Sequence, residues 1–192
     1  MLSGGSGVLW GNNFIWMCEV RRGTYAADYL TTADRSVSSF GAELESPGTY
    51  EALHLHTLFE GLPWHRLVPD GCSSGCPTIV TAGEGSRSRR IVAAATPEGD
   101  AVVAYVPPTG TGPRSFQVDL SGLRGPARAR WYDPSTGAYR PIASDVRRSR
   151  HVEFTTPGPN GSKTNDWVLV VDVQDVRGAD TRGSDRLTGP AR

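Results

Sequence analysis

From about residue 77 the chain becomes a succession of short apolar segments at even spacing, with no helical pattern between them. This feature constrains the fold most. Apolar residues recurring every second position suit a half-buried strand, whereas a helix needs them every three to four. Candidate strands are 77–82, 90–96, 101–106, 114–119, 127–132, 138–142, 151–155 and 167–173. Turn signals separate them: Pro97-Glu98-Gly99-Asp100, Pro107-Pro108-Thr109-Gly110, Asp133-Pro134-Ser135-Thr136-Gly137 and Pro157-Gly158-Pro159-Asn160-Gly161. The 23 glycines and 14 prolines make the chain turn-rich without making it disordered. Evenly spaced strands without intervening helices predict an antiparallel β-sandwich, and about a hundred residues suffice for a self-sufficient core. In 101–106, Val102, Ala104 and Val106 share one face and Ala101, Val103 and Tyr105 the other. Both faces are apolar, so this strand is expected at the centre of a sheet, and 167–173 reads the same way.

The first part of the chain reads differently. Residues 2–17, LSGGSGVLWGNNFIWM, are apolar and specific where chain ends are usually solvated. They read as the interior of a larger fold, cut just upstream. Phe14 to Val20 suits a strand buried on both faces. Residues 21–46 read as a long loop with at most one short helical turn. A helix follows, with Ser46 as N-cap and Pro47 in the first position. Glu51 is expected to favour the positive end of the helix. Ala52, Leu55, Leu58, Phe59 and Leu62 form an apolar stripe, and Gly61 with Pro63 ends it. Residues 63–70, PWHRLVPD, are expected to leave in extended form. The polar, glycine-rich tail from Val176 is expected to be disordered.

Twenty basic and twenty acidic residues give a formal charge of zero. Nothing electrostatic points to nucleic acid or an anionic membrane surface. Only Lys163 among the basic residues is a lysine. No apolar run approaches the roughly 18 residues of a membrane span, and no secretory signal pattern opens the chain. Cys72 and Cys76 in CSSGC can pair around a small loop if their Cα spacing suits, and otherwise remain thiols. Without paired histidines they fall short of a zinc signature, and no cofactor or metal is expected. Cys18 reads as a small core residue.

No Ser-His-Asp arrangement, Walker loop or dinucleotide fingerprint is present. His54 and His56, two apart on the predicted helix, point to different faces and read as solvated. His65, beside Trp64, reads as an anchor between helix and sandwich, and His151 as a surface residue. Trp131 and Tyr132 read as core or interdomain packing, with an exposed ligand platform as the alternative. Arg147, Arg148 and Arg150 read as a solvated basic loop.

Four runs taken together resemble a known family. LSGGSGVLWGNNFIW resembles the last barrel strand of the apiosidase-like glycoside hydrolases, and ESPGTYEALHLHTLFEGLPWHRLVPD resembles their final helix and exit segment. WYDPSTGAY and NDWVLVVD resemble the attached sandwich, known as a putative collagen-binding domain of a collagenase. The resemblance implies a mainly β chain: an antiparallel β-sandwich preceded by the last β/α unit of an incomplete (β/α)₈ barrel. It divides the chain into a barrel remnant (1–67), an accessory sandwich (68–175) and a tail (176–192).

Trp10, Asn12, Asn13 and Trp16 would then line the rim of the barrel mouth, where tryptophan faces stack on sugars and amides bridge hydroxyls. Core packing and a turn are the alternative for the same residues. Val8 departs from the family pattern, which carries a polar residue there. The family's catalytic carboxylates lie on earlier strands, and no residue here matches them. Glu19 and Asp28 match no catalytic motif, so the carboxyl pair that glycoside hydrolysis needs is expected to be missing. The expectation is an inactive C-terminal fragment of an exported glycoside hydrolase-like protein acting on complex polysaccharide. The alternative is a stand-alone module that binds collagen or carbohydrate.

Overall fold

The structure, a computed structural model, describes residues 2–3, 44–71 and 75–174. The expected N-terminal strand, Trp10, Asn12, Asn13, Trp16, Cys18, Glu19, Asp28, Cys72 and the tail from Val176 lie outside the described residues.

Helix α1 spans Pro47–Glu60. Ser46 precedes it in extended conformation, and its carbonyl accepts the Thr49 amide at 3.0 Å. Its hydroxyl pairs with the Thr49 hydroxyl at 3.2 Å instead of capping a backbone amide. Glu51 lies one position beyond the first turn, so it draws little from the helix dipole. Leu58, Phe59 and Leu62 are buried as the stripe requires, but Leu55 is 36% exposed. Residues Trp64–Arg66 form a 3₁₀ turn where an extended exit was expected.

Among the described residues the strands are β1 (Val68–Pro69), β2 (Val80–Ala82), β3 (Val92–Ala95), β4 (Ala101–Val106), β5 (Ser115–Val118), β6 (Ala127–Tyr132), β7 (Tyr139–Ala143), β8 (Val152–Thr155) and β9 (Trp167–Val173). They form a six-stranded sheet, β1-β3-β4-β9-β6-β7, and a three-stranded sheet, β2-β5-β8. Every pairing is antiparallel. The protein is thus mainly β, with a two-sheet sandwich and one described α-helix. β4 and β9 occupy the centre, as their two apolar faces predicted. β2 is shorter than expected. The Asp70 carboxylate accepts the Ile79 and Val80 amides at 2.9 and 2.8 Å, and the register with β5 shifts between Val80 and Ala82.

Period-two alternation divides the six-stranded sheet between two cores. Val102, Ala104, Val106, Trp131, Trp167, Leu169 and Val171 face the three-stranded sheet and share a core with its Phe116 and Phe154. Val103, Val168, Val170 and Tyr132 face the other way, onto Leu58, Phe59 and Leu62. The result is three layers: helix, large sheet, small sheet. Leu2, Leu67 and Tyr105 pack at the margin of the helix-side core.

Arg114, 8% exposed, ties the loops at one end of the sandwich. Its guanidinium donates to the carbonyls of Arg89, Pro107, Gly83 and Glu84 at 2.7–3.1 Å. Among the described residues no carboxylate pairs with it, and these bonds offset the cost of burying its charge.

Candidate functional site

A cleft of about 480 Å³ opens where α1 meets the loops that follow β4, β6 and β8. Leu55 and Glu51 form the helix wall, and Tyr105, Pro108 and Pro134 supply apolar surface. Ser135, Ser162, Thr164 and Asp166 supply oxygen atoms on the opposite side. No arginine or lysine lines it among the described residues.

Two loops are joined to make the polar wall. Asp133, 3% exposed, follows β6 and begins the Asp-Pro-Ser-Thr-Gly turn. Its Oδ1 accepts the Ser135 amide at 2.9 Å and hydroxyl at 2.6 Å, while Oδ2 accepts the Gly161 amide at 2.9 Å. The Ser162 amide donates to Ser135 Oγ at 3.0 Å. Burial pushes the Asp133 carboxyl up, but the Ser135, Gly161 and Thr136 donors outweigh it and hold the carboxyl below the usual range. Asn160, 6% exposed, folds the β8–β9 loop on itself. Its Oδ1 accepts from Ser162 Oγ, the Thr164 amide and Thr164 Oγ1 at 3.0–3.1 Å. Its Nδ2 donates to the Asp166 carbonyl at 3.1 Å and carboxylate at 2.8 Å. The Trp167 indole N–H anchors the same loop through the Gly158 carbonyl at 2.7 Å.

The Tyr105 hydroxyl donates to Asp166 Oδ2 at 3.3 Å, and the Thr164 hydroxyl divides its single proton between Asp166 Oδ1 and Asn160 Oδ1. Burial first, then the Asp166 charge, pushes the Tyr105 phenol up to about 12. Tyr105 therefore remains a neutral donor across the physiological range. The cleft offers an apolar floor beside hydroxyl and carboxylate oxygens. That arrangement suits a neutral polyhydroxylated ligand, which presents a C–H face and a hydroxyl edge. The two carboxylates, without a cation beside them, disfavour an anionic one.

A second cavity, of about 470 Å³, lies at the other end of β4. Ile79, Ala95, Val102 and Leu123 line it with Cys76, which is disulfide-bonded. The expected partner, Cys72, lies outside the described residues. No group of three or more His, Cys, Asp or Glu that could hold a metal ion occurs among the described residues. No described helix is long and apolar enough to cross a membrane.

The residues singled out from sequence fall as follows. Trp131 is 5% exposed, within an aromatic cluster with Phe116, Phe154 and Trp167. Tyr132 is 1% exposed on the helix side, and its hydroxyl donates to the His54 carbonyl at 2.7 Å. His54 is half-buried against the β6–β7 turn, not solvated. Gly137 turns there at φ 71°, and a Cβ on it would stand 2.7 Å from His54 Nδ1. His56 is exposed and pairs with Glu60 at 3.4 Å. His65 is exposed and meets the Trp64 ring edge-on at 6.0 Å, while Trp64 itself is 38% exposed. His151 is exposed. Arg147, Arg148 and Arg150 are exposed, and Arg148 also donates to the Leu123 carbonyl at 2.8 Å. Sequence reasoning did not single out Asp166, Ser162 or Thr164. Their signal was the turn-rich spacing itself, which marks a loop and not what the loop faces.

Residues 76–172, half of the chain, match the family described as "Putative collagen-binding domain of a collagenase". Among solved structures, one titled "Glycoside hydrolase" shares the fold at a TM-score of 0.63 and 24% identity, over 84% of this chain and 32% of that one. A glycoside hydrolase family 5 protein from Bacteroides vulgatus matches at a TM-score of 0.56 and 25% identity, over 72% of this chain and 28% of that one. The chain thus spans about a third of the length of these structures or less. No curated protein matches it.

Proposed function

The chain belongs to the family described as the putative collagen-binding domain of a collagenase, and from that premise we propose that it is the C-terminal part of a glycoside hydrolase-like protein acting on complex polysaccharide. Residues 68–175 serve as the accessory sandwich, residues 1–67 as the last β/α unit of the catalytic barrel, and 176–192 as a tail. The finer assignment to the apiosidase-like branch rests on the motifs in residues 2–16 and 45–70. In this reading Trp10, Asn12, Asn13 and Trp16 border the barrel mouth, Cys72 pairs with Cys76, and the catalytic carboxylates reside on upstream strands.

One observation carries the proposal. Helix α1 is docked on the outer face of the large sheet through a core of its own, formed by Leu58, Phe59 and Leu62 against Val103, Tyr132, Val168 and Val170. A helix preceding the sandwich and sealed to it makes the sandwich a buttress. The likeness to the glycoside hydrolase fold covers 84% of the chain, well past residues 76–172, which supports the same reading. The test is turnover: the purified 192-residue chain, offered plant-type polysaccharides and aryl glycosides, is expected to release no reducing sugar. Release that survives repurification would overturn the proposal.

The cleft beside α1 favours a second reading, a binding module for carbohydrate or collagen. Trp131 and Trp167 are buried, so no row of exposed tryptophans supports it among the described sandwich residues. Glu51→Gln and Leu55→Asn alter the exposed helix wall without touching either core. Retention on insoluble neutral polysaccharide that both variants weaken would favour this reading; retention on collagen alone would assign the other ligand.

A further inference from the structure

Asn160-Gly161 is a turn signal that the proposed function leaves unused. Asparagine followed by glycine is the pair most open to cyclisation, because glycine lets its own amide nitrogen reach the preceding side chain. That nitrogen attacks Asn160 Cγ, and the C–Nδ2 bond breaks. The Gly161 amide proton departs with Nδ2 as ammonia, leaving a cyclic imide. Water then opens either ring C–N bond, giving aspartate or isoaspartate at position 160.

The fold restrains every group this step needs. Asn160 is 6% exposed and its side chain makes five hydrogen bonds, three into Oδ1 and two from Nδ2. Turning Cγ toward the Gly161 nitrogen breaks all of them together. The Gly161 N–H is itself held by Asp133 Oδ2 at 2.9 Å, and the buried Asp133 is ionised. A carboxylate facing this proton opposes loss of the proton into solvent. Thr136 and Ser135 fill the space that a Cβ on Gly161 would need, so the β6–β7 turn packs closely on this peptide.

We propose that Asn160-Gly161 is a conformationally gated deamidation site, closed in the folded chain and open whenever the β8–β9 loop detaches from the β6–β7 turn. Conversion is then one-way. The new carboxylate replaces the Nδ2 donor and faces Asp166, whose carboxylate stood 2.8 Å from that nitrogen. Ser162, Thr164 and Asp166 form the polar wall of the cleft, so conversion dismantles the wall. Since the reactive state is the open one, the rate tracks its population.

The experiment incubates the full chain at mildly alkaline pH, folded and in urea, and follows residue 160 by peptide mapping with isoaspartate detection. Conversion in the folded chain is expected to be at least about tenfold slower than in urea. Rates within about twofold of each other would overturn the proposal. Urea below the unfolding transition supplies a second reading that needs no variant: conversion should rise with loop opening before global unfolding, and a flat response there also overturns it. Asp133→Ala, where it folds, should speed conversion. The product mimic Asn160→Asp should melt lower than the parent at neutral pH and recover part of the loss on acidification.

Discussion

Asp133 is 3% exposed, and burial by itself would raise its pKa; four donors reverse the sign. With a folded value below the ordinary carboxylate value of about 3.9, its contribution to stability is complete above that value and is lost as pH falls through the lower folded one. Asp133→Asn replaces an acceptor with a donor facing the Gly161 amide at 2.9 Å or the Ser135 amide at 2.9 Å. We expect a loss of about 1–3 kcal/mol at neutral pH, with a shallower decline of stability below about pH 4. Urea unfolding at a series of acid pH values measures both. Asp133-Pro134 was legible in sequence as a turn, but that its carboxylate also holds Gly161 was not. His54 shows the same limit: helical spacing gives its direction from α1, and only the docked turn at Gly137 half-buries it.

At the scale of elements, the strand pattern was readable because alternation is a local property. Each of the eight expected segments overlaps a strand; ends are trimmed where Asp70 or a turn takes the backbone donors, and β7 runs one residue past its expected end. β1 was not foreseen, since two residues carry no period and its pairing with β3 is purely tertiary. The stripe on α1 was read correctly at Leu58, Phe59 and Leu62 and incorrectly at Leu55, where the helix rides over the cleft instead of the core. Phe59→Ala should therefore cost about 3–5 kcal/mol and loosen α1 from the large sheet, uncovering Val103 and Val170 to a hydrophobic dye. Leu53→Ala, at a side chain 56% exposed on the same helix, should change stability by no more than about 0.5 kcal/mol. Equal effects from the two would mean that α1 is not sealed to the sheet.

The molecule as a whole places two raised phenols on the face of the large sheet that α1 covers. Burial first, then Asp166 beside Tyr105 and the neighbouring Tyr139 and Asp133 beside Tyr132, pushes each phenol up to about 12. The unfolded phenol titrates near 10, so the folded state favours the protonated form. Their contribution is fully present below about pH 10 and is lost as pH rises from there toward 12. Urea midpoints should fall across that interval, and Tyr132→Phe should flatten the fall while losing the bond to the His54 carbonyl. The amino-acid sequence by itself determined the strands, the helix, the turns and which side chains alternate inward, because those follow from spacing along a few neighbouring residues. The buried Trp131 and the central positions of β4 and β9 were readable on the same ground. Only the tertiary structure decided that α1 lies across the sandwich and that Glu51, Tyr105, Ser135 and Asp166 line one cleft. Those residues come from four separate elements, and their meeting depends on the order in which strands pair, an arrangement that no local period encodes.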